Sequence, residues 1–213
     1  MTIRARLFAA IALTVLGPVV TIAVAFTAFA ELGDEFDEVQ RAAARQGVAL
    51  DLKFAVTDMN GWQTAYGYDR GRSRPTFEAS VERTEELLAA GRRELREPRE
   101  RALLEEIEAA FDAFMELDAD AYEALQAGRT AETRRIFLGP EIRNFEAMAG
   151  AADALAREQD QRAASAGRRF DAARTTARRE LVAVAIGAGV VIVLLLLTVQ
   201  DVVRLALERR ERA

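Results

Sequence analysis

The chain has 213 residues, 29 of them Lys or Arg and 34 Asp or Glu, giving a formal net charge of −5, and it contains neither histidine nor cysteine. Without cysteine there is no disulfide, thiolate metal site or thiol nucleophile, and without histidine there is no imidazole base or imidazole metal ligand. No glycine-rich GxxxxGK[ST] phosphate loop occurs either, so neither an enzyme nor a cofactor or metal is expected.

In chain order, Arg4 and Arg6 precede a charge-free run at 7–30, LFAAIALTVLGPVVTIAVAFTAFA, and a second charge-free run, LVAVAIGAGVVIVLLLLTV, occupies 181–199. As helices rising about 1.5 Å per residue these extend roughly 36 and 28 Å, enough for a hydrocarbon core about 30 Å thick. The chain therefore divides into a cytoplasmic N-terminus at 1–6, a first span at 7–30, an extracytoplasmic domain at 31–180, a second span at 181–199 and a short cytoplasmic tail at 200–213. The alternative for the first run is a cleaved signal peptide, with Ala28-Phe29-Ala30 as an A-x-A site. The run is longer than the usual h-region of about 7–15 residues, which favours an uncleaved anchor.

Orientation follows from the flanks. Arg4 and Arg6 stand on one side of the first run, and Glu31, Asp34, Glu35, Asp37 and Glu38 on the other. The positive-inside rule then puts both termini in the cytoplasm. Arg174, Arg178 and Arg179, just before the second run, pull the other way. Residues 1–30 carry +2 and 181–213 carry +1, so the total of −5 leaves −8 on the middle segment. An acidic outer domain argues against nucleic acid as a partner; the expected surroundings are the lipid bilayer of a cell membrane.

Within 31–180, apolar residues recur every three or four positions, the pattern of packed amphipathic helices. The first helix carries Leu32, Phe36, Val39 and Ala43, then Val48, Leu52, Ala55, Met59, Trp62 and Tyr66. It stops in DRGRSRPT, where Gly71 and Pro75 break it and Thr76 is placed to cap the next. The second presents Phe77, Val81, Thr84, Leu88, Gly91 and Leu95. A third begins at Pro98 and presents Leu104, Ile107, Phe111, Phe114, Asp118, Ala121 and Leu125, with Asp118 expected at the edge of the stripe and facing water. After Gly128 and a short helical stretch, AETRRIFL, a fourth helix starts near Pro140 with Ile142, Phe145, Ala149, Ala152, Ala156, Gln159, Ala163, Ala166 and Phe170, and meets no breaker before the second apolar run. The fold class is all-α: an antiparallel up-down-up-down four-helix bundle whose first and last helices continue as the two transmembrane helices. In the second span, Ala183/Gly187 and Ala185/Gly189 give a small-xxx-small spacing, a weak sign of close helix contact.

The stretch DMNGWQTAYGYDRG, 58–71, holds the only tryptophan and two of three tyrosines. Trp62, Tyr66 and Met59 fall on the expected inward stripe, where they cap a core or wall a pocket. For a pocket, Asp58, Asn60, Gln63 and Thr64 supply donors and acceptors beside the apolar walls, and Arg70, with Arg72 and Arg74 in the following turn, is placed to meet an anion. The candidate ligand-binding residues are thus Asp58, Asn60, Trp62, Gln63, Tyr66 and Arg70, against a structural reading in which the aromatics pack and the arginines are solvated.

DMNGWQTAYGYD resembles a first-helix segment, and LQAGRTAETRRIFLGPEIRNFEAMAGAADALA the return into the last helix, of the four-helix sensory region of methyl-accepting chemotaxis receptors and related bacterial transmembrane transducers. The likeness covers roughly residues 1–200. It implies a sensory module in the bacterial inner membrane, a homodimer, a small-molecule or periplasmic protein ligand, and a cytoplasmic output partner. Receptors of this kind continue after the second span into a linker bundle and a signalling hairpin, whereas only QDVVRLALERRERA follows here, so the expectation is a truncated chain or one dependent on a partner for output. The competing reading is a structural or adaptor membrane protein that associates with larger receptors and senses nothing itself.

Overall fold

The computed structural model describes residues 3–210, so the expected terminal segments at 1–6 and 200–213 lie partly outside the described residues. All regular structure among the described residues is helical: α1 (Ile3–Tyr68), α2 (Arg74–Glu94), α3 (Pro98–Gln126), α4 (Thr130–Ile136), a π-helical stretch (Phe137–Glu141) and α5 (Ile142–Arg210). The abundance of Ala, Glu, Arg and Leu favours helix throughout, and the breaks fall where the backbone demands them. Between α1 and α2, Arg70 and Gly71 take left-handed φ of 62° and 88°, the second at no steric cost because glycine has no Cβ. Pro75 then occupies the first turn of α2, where its missing N–H leaves no bond unmade. Thr76, expected to cap α2, lies inside it. The turn is held instead by Asp69, which accepts hydrogen bonds from the backbone N–H and the hydroxyl of Ser73.

α3 opens with Pro98, and the Glu97 N–H donates to Glu100 Oε2 at 3.0 Å. It closes at Gly128, φ 73°. The π-helical stretch contains Gly139 and Pro140. Proline cannot donate the regular helical bond to the fourth residue before it, and a widened turn is one way the backbone accommodates that loss.

Two compact units result, Val39–Ala166 and a second comprising Met1–Glu38 with Gly167–Ala213. In the first, one buried cluster runs through Ala49, Leu52, Val56, Met59 and Tyr66 of α1, Phe77, Leu87 and Leu88 of α2, Leu104, Ile107, Phe111 and Phe114 of α3, and Met148, Ala152 and Leu155 of α5. Each such large side chain taken from water contributes about 1.5–3 kcal/mol. Ion pairs join neighbouring helices around it: Arg83–Asp51 at 3.8 Å links α2 to α1, Arg92–Glu108 at 3.4 Å links α2 to α3, Arg99–Glu158 at 2.9 Å links α3 to α5, and Lys53–Asp153 at 2.7 Å links α1 to α5.

The α3 stripe is buried at every expected position but Leu125, which is half-buried, and this includes Asp118. The expectation that Asp118 faces water is therefore overturned, because partners on α1 and α2 receive its carboxylate inside the unit. In α1 the stripe slips by one residue near its end: Trp62 is exposed at 37% while Gln63 is buried at 3%. Both lie within one turn of Met59 and point to adjoining faces, and the amide wins the inner position because buried carboxyls there require a donor.

In the second unit, the Phe36 and Phe170 ring centroids lie 6.0 Å apart and Arg169 pairs with Glu35 at 3.5 Å. Two helices are long and apolar enough to cross a membrane; their most apolar windows have mean hydropathies of 1.9 and 3.0. Large apolar side chains there, among them Phe26, Phe29, Ile186, Leu196 and Leu197, stand exposed. Pro18 sits inside α1 within the first of these runs.

Candidate functional site

A polar cluster is buried within the Val39–Ala166 unit, assembled by α1, α2, α3 and the π-helical stretch. Asp118 of α3 is fully buried and accepts three hydrogen bonds. Arg74 Nη1 donates to Oδ2 at 2.6 Å, Gln63 Nε2 donates to Oδ1 at 3.2 Å, and the Tyr66 hydroxyl also donates to Oδ1. The same Gln63 amide donates its second N–H to Oε1 of Glu141, which is 1% exposed. Glu141 Oε2 is buried and has no hydrogen-bond partner. Gln63 thus bridges two carboxyl groups that come from different elements, α3 and the π-helical stretch.

The first residue of α2 places Arg74 so that its guanidinium enters the cluster, with Nε on Glu78 at 3.1 Å on the solvent side. Its Cζ lies 5.1, 4.7 and 4.4 Å from the ring centroids of Tyr66, Phe77 and Tyr122, a desolvated cation–π cage. Tyr66 makes edge contacts with Phe77, Tyr122 and Phe137 at centroid distances of 5.4, 5.8 and 5.9 Å. Phe137 comes so close to α1 that a Cβ on Gly67 would lie 2.5 Å from its ring. Glycine at 67 is what allows the π-helical stretch to seat against α1.

The electrostatics follow from a count of charges. Two carboxyl groups, Asp118 and Glu141, share a water-poor space with one guanidinium, and a second unpaired anion there is expensive. Burial, then the Asp118 carboxylate, push the Glu141 pKa from 4.5 up to about 8, against the opposing effects of Gln63 and Arg74. Glu141 is accordingly protonated at neutral pH. Burial, then Asp118, drive the Tyr66 phenol upward, so it remains a donor. Burial lowers Arg74, but Asp118, with smaller help from Glu78 and Tyr66, opposes it and the net shift is upward. The cluster is one ion pair, one neutral acid and two neutral donors, an arrangement suited to holding helices in register and to responding to charge.

Of the six residues predicted to bind a ligand, Gln63 and Tyr66 belong to this cluster. Asp58, Trp62 and Arg70 are exposed and Asn60 is half-buried, so the structure does not bring them into it. Thr64 is exposed and its hydroxyl donates to the Asn60 carbonyl at 2.9 Å. Arg72 is exposed, and Arg74, expected in the solvated turn, is instead half-buried and supplies the cation of the cluster. Glu141 went unnoticed in the sequence, although an acid flanked by Pro140 and Ile142 at the start of an apolar stripe was a usable signal.

A second buried acid, Glu100, sits between α3 and α5, where Gln159 Nε2 donates to it at 2.8 Å and Arg162 approaches to 3.4 Å. Both polar clusters thus pair a carboxyl with an amide and an arginine. Comparison with protein-family models returns no match, and comparison with curated proteins returns none either.

Proposed function

We propose that the chain is a membrane-anchored sensory module of the kind found in chemotaxis receptors. An extracytoplasmic domain, residues 31–180, detects a small molecule or partner protein and passes a helix shift through α1 and α5 to a cytoplasmic partner. The observation that carries this reading is the buried cluster. Gln63 and Tyr66 lie in the last two turns of α1, and Glu141 immediately precedes α5. These are the helices that hold the two charge-free runs, and a bridge from Gln63 to Glu141 joins the end of one to the start of the other. The cross-helix ion pairs support a cyclic order α1–α2–α3–α5, and with it the up-down-up-down bundle. Packed interfaces favour discrete arrangements over gradual deformation, so a change at the bridge is passed on as a shift rather than absorbed. The protein works as a homodimer in the inner membrane with both termini in the cytoplasm.

The absence of cysteine makes the topology directly testable. In intact cells, Tyr68→Cys, an 87% exposed position, should react with a membrane-impermeant maleimide, and Asp201→Cys should react only after lysis. Protection of Tyr68→Cys in intact cells refutes the extracytoplasmic assignment. For sensing, the full chain in nanodiscs should change Trp62 fluorescence with a candidate ligand or periplasmic extract, and a Gln63→Ala variant should lose that response.

A further inference from the structure

The strongest unassigned feature lies in the second unit, at the edge of the apolar runs. Two open clefts of about 350 and 420 Å³ lie side by side and share Arg178 and Val182. The first is walled by Phe29, Leu32 and Leu181 with Arg174 on its rim; the second is walled by Ala183 and Ile186 with Arg179 on its rim. Leu181 is the first residue of one charge-free run and Phe29 the next to last of the other. Apolar floor and basic rim therefore meet where each run gives way to charged sequence. No carboxylate among the described residues forms an ion pair with Arg174, Arg178 or Arg179, although nearby Arg169 pairs with Glu35 at 3.5 Å.

Three exposed guanidinium groups left unpaired above an apolar cleft ask for one molecule carrying both an anion and a hydrocarbon tail. A phosphodiester suits the planar guanidinium fork, and acyl chains suit the floor. A second copy of the chain fits poorly, because a twofold contact through this face sets one triplet of arginines against another. The same chemistry accounts for the one feature of the sequence that opposes the positive-inside rule: these arginines answer to lipid phosphate rather than to topology. We propose that Arg174, Arg178 and Arg179 with the clefts below them form a binding site for an anionic phospholipid of the extracytoplasmic leaflet. The site rests on the membrane-spanning reading above.

The test uses the full chain reconstituted in nanodiscs of mixed phosphatidylcholine and phosphatidylglycerol, then released for native mass spectrometry to count retained lipids. The wild type should retain phosphatidylglycerol in preference to phosphatidylcholine. The triple variant Arg174→Gln/Arg178→Gln/Arg179→Gln should lose that preference by about a hundredfold, at roughly fivefold per arginine. A control with equal charge loss, Arg83→Gln/Arg92→Gln/Arg129→Gln, should keep it. Equal retention of both lipids by the wild type, or an unchanged preference in the triple variant, overturns the lipid site. Failure of the wild type to stay in membranes through a carbonate wash refutes the spanning reading itself, so the two failures are told apart.

Discussion

Glu141→Gln isolates the charge on which the cluster depends. The substitution keeps an oxygen to accept from Gln63 and removes the one carboxyl of the cluster that is not ion-paired, since Arg74 pairs with Asp118. In the unfolded chain this carboxyl titrates near its ordinary 4.5, and in the folded chain near 8. Between those values the folded state holds a proton that the unfolded state has lost, so stability falls as pH rises. The contribution is complete below about pH 4.5 and is gone once pH has passed about 8. One proton difference is worth about 1.4 kcal/mol per pH unit, hence about 4 kcal/mol between pH 5 and pH 8. For a unit of this size that corresponds to a drop in melting temperature of roughly 10–15 °C. Asp69 and Asp153 are held below the usual carboxylate range, chiefly by hydrogen bonds from Ser73 and Lys53 respectively. They lose their contribution only as pH falls below about 3.8, outside this window. Thermal melts followed by far-ultraviolet circular dichroism should give a steep pH dependence for the wild type and a flat one for Glu141→Gln, the curves meeting near pH 5. Parallel curves refute the reasoning.

Asp118→Leu strands the Arg74 guanidinium inside the protein and should cost about 3–5 kcal/mol, whereas Asp118→Leu/Arg74→Met should recover most of it, as judged by urea denaturation. Tyr66→Phe removes one donor to the Asp118 carboxylate and should cost about 1.5–3 kcal/mol in the same assay, with helicity unchanged. Two glycines of α1 should respond in opposite directions. Gly61→Ala, with nothing within 4 Å of the added carbon, should stabilise by up to about 1 kcal/mol. Gly67→Ala, driven against Phe137, should destabilise by about 1–3 kcal/mol. Phe114→Ala, at a fully buried position, should cost about 3–5 kcal/mol.

What the sequence made legible was whatever depends on near neighbours in the chain. Helical periodicity located the stripe of α3 from Leu104 to Ala121, and the glycines and prolines located the breaks at Gly71, Pro98 and Gly128. The cluster escaped because its bonds join residues far apart: Arg74 to Asp118, Gln63 to Glu141. A carboxylate in a helical stripe reads as a misplaced surface residue until the partner that neutralises it is known, and periodicity carries no information about that partner. The slip from Trp62 to Gln63 has the same origin. Hydrophobicity alone ranks the indole as the inner residue, but the inner position faces two carboxyl groups that indole, with its single N–H, cannot bridge.

A buried ion pair with an extra acid is not the most stable way to fill such a space, since well-packed apolar groups serve as well or better. The cluster does provide two states that differ by a proton: one with Glu141 neutral beside the Gln63 amide, and one with Glu141 ionised and its buried Oε2 without a partner. A ligand shifts such an equilibrium only by the difference between its affinities for the two states. A cationic group placed against the unpartnered Glu141 Oε2 would supply that difference by taking the place of the proton. Glu141→Gln should therefore fold but no longer change charge between about pH 5 and about pH 8, and its Trp62 fluorescence should stay constant over that range while the wild type's changes.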